Sequence, residues 1–396
     1  MAPIQRLKAY GGPTILSYGF RPFFLAGAIV AALGIAAWLP QYLGEAVIPN
    51  ILPPLAWHAH EMLFGFVPAV VTGFLLTAIP NWTGRLPLQG APLLLLLLAW
   101  FAGRLAIGFS AMIGWAPTML IDCAYLLLLG LVIAREIIAG KNWRNLKILA
   151  LVGLMFAANV AFHLEAHFAG AAQYSARAGI AAIIMLVILI GGRVVPSFTR
   201  NWLVKENPGR LPAPADGFDN FLVAAAAVAA ISWIIAPASA LSAAMFLVAA
   251  VAQTVRLSRW AGWRAWRDPL VLVLHGAYLF IPVGFVLHAC AVFHPDLAPP
   301  SAGIHAWAIG GASGMILAVM TRATLGHTGR ALKASRWTVV IYLAIAASAV
   351  ARIAASLDPQ RSIELLHLAA TGWVVAFGGF AAVYGPYLAK PRRNTP

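Results

Sequence analysis

The sequence predicts an all-α polytopic membrane protein of about twelve transmembrane helices, and three observations carry that prediction. The 396 residues are 62% hydrophobic and only 10% charged, too few charges to clothe a surface that faces water. Apolar stretches long enough to cross roughly 30 Å of hydrocarbon recur along the whole chain. Basic residues fall in alternate connections, the pattern of proteins that keep Lys and Arg on the cytoplasmic side.

The spans fall at about 22–39, 58–80, 91–109, 115–137, 145–166, 176–198, 219–236, 239–257, 270–292, 303–321, 337–356 and 364–388. The connections fix their directions in turn. Arg6, Lys8 and Arg21 precede the first span, and Arg85 follows the second. The Arg135 to Lys147 group separates the fourth from the fifth, and the Arg193 to Arg210 group the sixth from the seventh. The Arg256 to Arg267 group follows the eighth, the Arg322 to Arg336 group the tenth, and the Lys390 to Arg393 tail the twelfth. The other side keeps only Arg104, Arg177, Arg352 and Arg361. Both termini are therefore expected in the cytoplasm. The net charge of +15 belongs beside anionic lipid, which makes the bilayer the partner and excludes nucleic acid.

Met1 to Gly12 carries charge but no apolar core with a cleavage site, so no removable signal peptide is expected. Cys123 and Cys290 lie inside spans and lack CxxC spacing, which supports neither a disulfide nor a zinc site. The chain reads as one transmembrane domain, residues 1–396. Its longest polar connection, Asn201 to Asp219 with Pro208, Gly209, Pro212 and Pro214, reads as a cytoplasmic loop between two six-helix halves.

Laying the second, sixth and tenth spans over one another sets Thr83-Gly84-Arg85 on Thr328-Gly329-Arg330, His60 on His305 and Gly65 on Gly310. In the same register Pro196 falls on Pro80 and Thr199 on Thr83. This suggests three repeats of four helices, near 13–140, 141–260 and 261–390. Chance likeness between Gly- and Ala-rich helices is the competing explanation.

Ten histidines punctuate this apolar chain. His58, His60, His163, His167, His288, His294, His305 and His367 map to the outer half, and only His275 and His327 to the inner side. One histidine at a helix end is usually an interfacial hydrogen-bonder; convergence from five helices on one level points instead to haem iron or copper, for which imidazole is a common ligand. His163 and His167, four apart, share a helical face and either ligate one metal or divide ligand and supporting roles. His58 and His60 point to opposite sides of a helix, or to one metal where the chain is extended. Glu61 and Glu165, each within two residues of a histidine, are candidates for proton relay. Asn159, one turn before His163, is a candidate hydrogen-bond partner of a ligand. Trp57, Trp82, Trp100, Trp115, Trp202, Trp307 and Trp373 fit an interfacial belt, and Arg193 and Arg322 fit snorkelling or ion pairing at inner helix ends.

Three segments carry a resemblance: Tyr18-Gly19-Phe20-Arg21-Pro22-Phe23-Phe24-Leu25, Trp57-His58-Ala59-His60-Glu61-Met62-Leu63-Phe64-Gly65, and Phe74-Leu75-Leu76-Thr77-Ala78-Ile79-Pro80-Asn81-Trp82-Thr83-Gly84. Together they resemble the NnrS family, most specifically across residues 18–85. The resemblance implies a twelve-span protein of the bacterial inner membrane, associated with nitric oxide metabolism and nitrosative-stress tolerance and containing haem, of b type, and copper or a second haem or iron. The four-helix repeat is also similar to the architecture of haem–copper oxidase catalytic subunits, whose haem ligands stand on the second and tenth helices near the outer surface. By that likeness His60 and His305 are expected as axial ligands of one haem. No His-His pair and no histidine on the sixth span matches the oxidase copper site, so a second metal would draw on His58, His163, His167, His288 or His367. Three function classes follow: an oxidoreductase that reduces nitric oxide at a metal near the periplasmic face, with electrons from a quinol or a periplasmic redox protein; a non-catalytic nitric oxide binder; or a transporter.

Overall fold

The computed structural model describes residues 10–393; Arg6 and Lys8 lie outside the described residues. Among those residues there is no strand. Twelve helices are long and apolar enough to cross a membrane: α1 Phe20–Tyr42, α2 Pro54–Thr83, α3 Ala91–Gly108, α4 Trp115–Ala139, α5 Trp143–Ala169, α6 Tyr174–Glu206, α7 Gly217–Ile235, α8 Ala240–Ser258, α9 Pro269–Phe293, α10 Pro300–His327, α11 Arg336–Leu357 and α12 Pro359–Ala389. The protein is thus an all-α, multi-pass membrane protein. Outward-facing Leu33, Leu95, Leu120, Leu131, Val251 and Leu343 are exposed on these helices, as lipid-facing side chains must be.

Boundaries depart from the sequence expectation where proline or a polar cap controls them. Helices α2 and α10 begin at Pro54 and Pro300, before their apolar runs, because a first-turn proline has no N–H to leave unsatisfied and its φ is already helical. His58 and His60 therefore stand within a helix, and the extended alternative does not apply. The loop expected over Asn201 to Asp219 is shorter than that. Helix α6 continues to Glu206, and Asp216 caps α7 by accepting from the Asp219 N–H at 3.0 Å.

The chain divides into two compact units. The first takes the chain up to Gly179, Ala323–Ala331 and the chain from Phe380. In it α1 lies against α2 at glycines, where a methyl on Gly73 would strike Phe24 and one on Gly27 would meet Val70; small residues let membrane helices approach closely. Arg21 donates to the carbonyls of Leu388 and Lys390 at 2.6 and 2.8 Å, closing the C-terminal end of α12. Gly84 and Gly329 both end helices in the left-handed conformation, with φ of 69° and 70°. The Thr-Gly-Arg likeness is therefore also a shared helix stop.

The second unit takes Ile180–Arg322 and Leu332–Gly379. Arg256 anchors a buried polar network in it: it pairs with Asp219 at 3.2 Å and donates to Tyr278 at 3.0 Å, while Tyr278 donates to Gln253 at 2.6 Å.

Two spans carry a π-helical turn. In α2 it covers Glu61–Phe66 and in α10 Ala306–Ser313, directly after His60 and His305. Such turns are rare and concentrate at functional sites.

Candidate metal centre

Four successive spans of the first unit bring polar side chains to one depth. At 1.5 Å per residue, His60 lies about 9 Å into α2 from Pro54 and Asp122 about 10 Å into α4 from Trp115. His163 lies about 9 Å before the end of α5, and Arg104 about 6 Å before the end of α3. Because successive spans alternate in direction, these ends fall on one side of the membrane.

There the side chains converge. His60 Nε2 is 3.2 Å from Asp122 Oδ2 and 3.1 Å from Asn159 Oδ1. His163 Nε2 is 3.1 Å from the same Asp122 oxygen, to which Asn159 Nδ2 donates at 2.8 Å. The ligand atoms of His60, Asp122 and His163 all lie within 4.8 Å of one another, and all three residues are buried. Arg104 holds the other side, donating through Nη2 to Asp122 Oδ1 and through Nη1 to Glu61 Oε1. Glu61 Oε1 in turn faces His60 Nδ1 at 3.4 Å.

The donor set fits a small cation. With Nδ1–H turned toward Glu61, His60 Nε2 presents a lone pair, as do Asp122 Oδ2 and Asn159 Oδ1. His163 Nε2 faces the same point. Acceptors gathered in a buried space need positive charge between them, either a proton or a metal ion. Two imidazoles and a carboxylate suit a first-row transition metal and leave coordination positions open. The Glu61 carboxylate facing His60 Nδ1 at 3.4 Å stands where the usual support of a metal-bound histidine does.

The same crowding disfavours haem at His60. Its ring is fully buried, with Phe64, Phe162 and His163 centroids 5.5, 5.2 and 5.0 Å away, and Asp122 and Asn159 already stand against Nε2. A porphyrin plate would have to displace both; a bare ion would not.

Gly65 lies in the π turn beside this network. Its carbonyl accepts from Trp100 Nε1 at 2.9 Å, and a methyl there would run into the Arg104 guanidinium and stand 3.2 Å from Glu61 Oε2. Gly65→Ala is expected to push Arg104 off the two carboxylates and weaken metal retention about tenfold, the usual scale for a supporting contact, as read by metal content against chelator concentration.

The remaining expected site residues lie elsewhere. His58 stacks on Trp38, centroids 4.3 Å apart, on the opposite face of α2 from the centre. His167 stacks on Trp115 at 4.0 Å, so the histidine that shares Asp122 with His163 is His60 and not the one four residues on. Both Glu165 oxygens accept at the start of α6, from the Gln173, Tyr174 and Ser175 N–H groups at 2.8, 3.0 and 2.9 Å and from the Ser175 hydroxyl. That is a helix cap. In the second unit His305 donates through Nδ1 to the Ser301 carbonyl at 2.7 Å, and exposed His367 to that of Ile363 at 2.8 Å. His288 is buried against Trp233, Phe246 and Trp307. Its Nε2 finds no hydrogen-bond partner among the described residues.

Sequence reasoning missed Asp122, and it counted Arg104 among the outer-side charges although that side chain is buried within α3. The signal was present in both cases, since an ionisable residue inside an apolar span is costly and seldom idle.

Helices that satisfy their own backbone in lipid, enclosing two imidazoles, two carboxylates and a guanidinium, define a membrane protein with a buried His/Asp group able to hold a metal ion. Residues 14–392 match the family described as NnrS protein. With nearly its whole length covered, the chain belongs to the NnrS family, membrane proteins associated with nitric oxide metabolism. No curated protein matches the sequence.

Proposed function

We propose that this protein binds and reduces nitric oxide at a metal ion held by His60, His163 and Asp122 near the periplasmic face of the bacterial inner membrane. The observation that carries the reading is the meeting of three ligand atoms from three spans within 4.8 Å, all buried. When bound there, iron or copper would supply an open coordination position for a diatomic ligand and a redox couple. The protein's own groups do the rest. Asp122 and the two imidazoles hold the ion, and Arg104 and Asn159 fix Asp122. Phe64 and Phe162 line the His60 ring and exclude water. Glu61, against His60 Nδ1, is the carboxylate placed to pass a proton.

The periplasmic assignment rests on the basic residues, which crowd the connections on the other side of the membrane. Both termini are then cytoplasmic, and the electron donor is a quinol or a periplasmic redox protein. The three-repeat organisation stays part of the proposal, supported by the π turns that follow both His60 and His305.

Metal analysis and nitric oxide difference spectra of purified protein test this. His163→Ala is expected to lose the nitric oxide-responsive metal while His327→Ala keeps it; equal metal and equal response in both variants would refute the centre. Haem is tested in the same samples. Loss of the Soret band in both His60→Ala and His305→Ala is the result for a haem shared by those two histidines. Loss in His305→Ala or His288→Ala alone is the result for a haem held by the second unit. Anaerobic nitric oxide consumption with a reductant separates turnover from binding.

A further inference from the structure

The charges around the centre do not cancel. Glu61 and Asp122 contribute two negative charges and Arg104 one positive charge, and all three side chains are at most 7% exposed. With both imidazoles neutral, as metal ligands are, the ligand set and its supports carry −1. A divalent ion brings the buried cluster to +1. In a low-dielectric interior a net charge of either sign is expensive, so the loaded centre gains from one further negative charge. Nitric oxide, being neutral, brings none.

We propose that the divalent-loaded centre takes small monovalent anions, of the class of nitrite and azide, and that Glu61 and Arg104 set this preference by fixing the cluster one charge short of neutral. The inference rests on the metal reading above and adds the ligand class. Asn159 and Asp122 stand at the ion's position, whereas Glu61 and Arg104 stand behind His60 and Asp122, and besides orienting them set the net charge. Removing the Glu61 charge leaves the loaded cluster at +2, and anion affinity rises. At several ångströms and intermediate dielectric, one charge is worth about ten- to a hundredfold in affinity.

The experiment loads detergent-purified protein with cobalt(II) alone, measures its uptake by metal analysis, and then titrates azide and nitrite against the cobalt d–d absorption. Expected are stoichiometric cobalt uptake, a saturable spectral change with each anion, and binding about ten- to a hundredfold tighter in Glu61→Gln. Arg104→Lys, which keeps the charge, should retain the response to azide. Cobalt uptake with no spectral response to either anion overturns the inference while leaving the metal centre standing. So does an unchanged anion affinity in Glu61→Gln. Failure to take up cobalt in wild-type protein overturns the metal reading and this inference with it.

Discussion

Asp122→Ala is expected to abolish metal retention, lowering affinity by more than the ten- to hundredfold typical of a supporting residue. Four contacts meet on this one carboxylate. Its Oδ2 is the atom that His60, His163 and Asn159 all face, and its Oδ1 takes Arg104. Alanine therefore removes the anionic ligand, releases both imidazoles and leaves the guanidinium with Glu61 alone. Asp122→Asn keeps the shape and loses the charge, so it should fall between wild type and alanine. Metal content after exhaustive dialysis reads the effect, and stoichiometric metal in Asp122→Ala would refute the assignment of this residue. Gly103 faces Asp122 so closely that a methyl there would come within 3.0 Å of Oδ1. Helices α3 and α4 thus leave little slack for another side chain to replace the carboxylate.

Arg104→Met is expected to damage folding more than any other single change at the centre. Methionine fills much of the same volume but leaves Glu61 and Asp122 as two buried carboxylates without a cation. Breaking a buried ion pair by removing one partner costs about 3–5 kcal/mol, and here two pairs share the partner. Reduced yield and a lower unfolding temperature in detergent should result. Arg104→Lys should recover only part of the loss, since an ammonium is a point charge and cannot fork between two acceptors. Adding Glu61→Gln to Arg104→Met should recover some stability by removing one uncompensated charge. A melting temperature for Arg104→Met equal to that of wild type would remove the ion-pair argument.

What the chain discloses differs between fold and site for physical reasons. Hydrocarbon imposes length and apolarity on each span separately, so twelve helices can be read one at a time. Pairing across helices has no such local signature. His60 and His163 were conspicuous as imidazoles in apolar surroundings, and Asn159 followed from helical spacing alone. Asp122 sits among apolar neighbours with no histidine beside it in sequence, and Arg104 lies near enough to its helix end to pass for a loop charge. Their partnership with Glu61 spans 43 residues for Arg104 and depends on which faces meet. Glu165 shows the converse. Its nearness to His163 and His167 suggested chemistry, yet its oxygens are taken by the start of the next helix.

The π turn over Glu61–Phe66 gives α2 a mechanical property. A π turn holds one residue more than the α turn it replaces, so it sets the rotational phase between the helix before it and the helix after it. Reverting it to α geometry while Val67–Thr83 stays packed would swing His60 around the axis by about 100°, off Asp122 and His163. The centre is in this sense geared to a single inserted residue: shortening α2 by one position within the turn would dismantle it without touching a ligand.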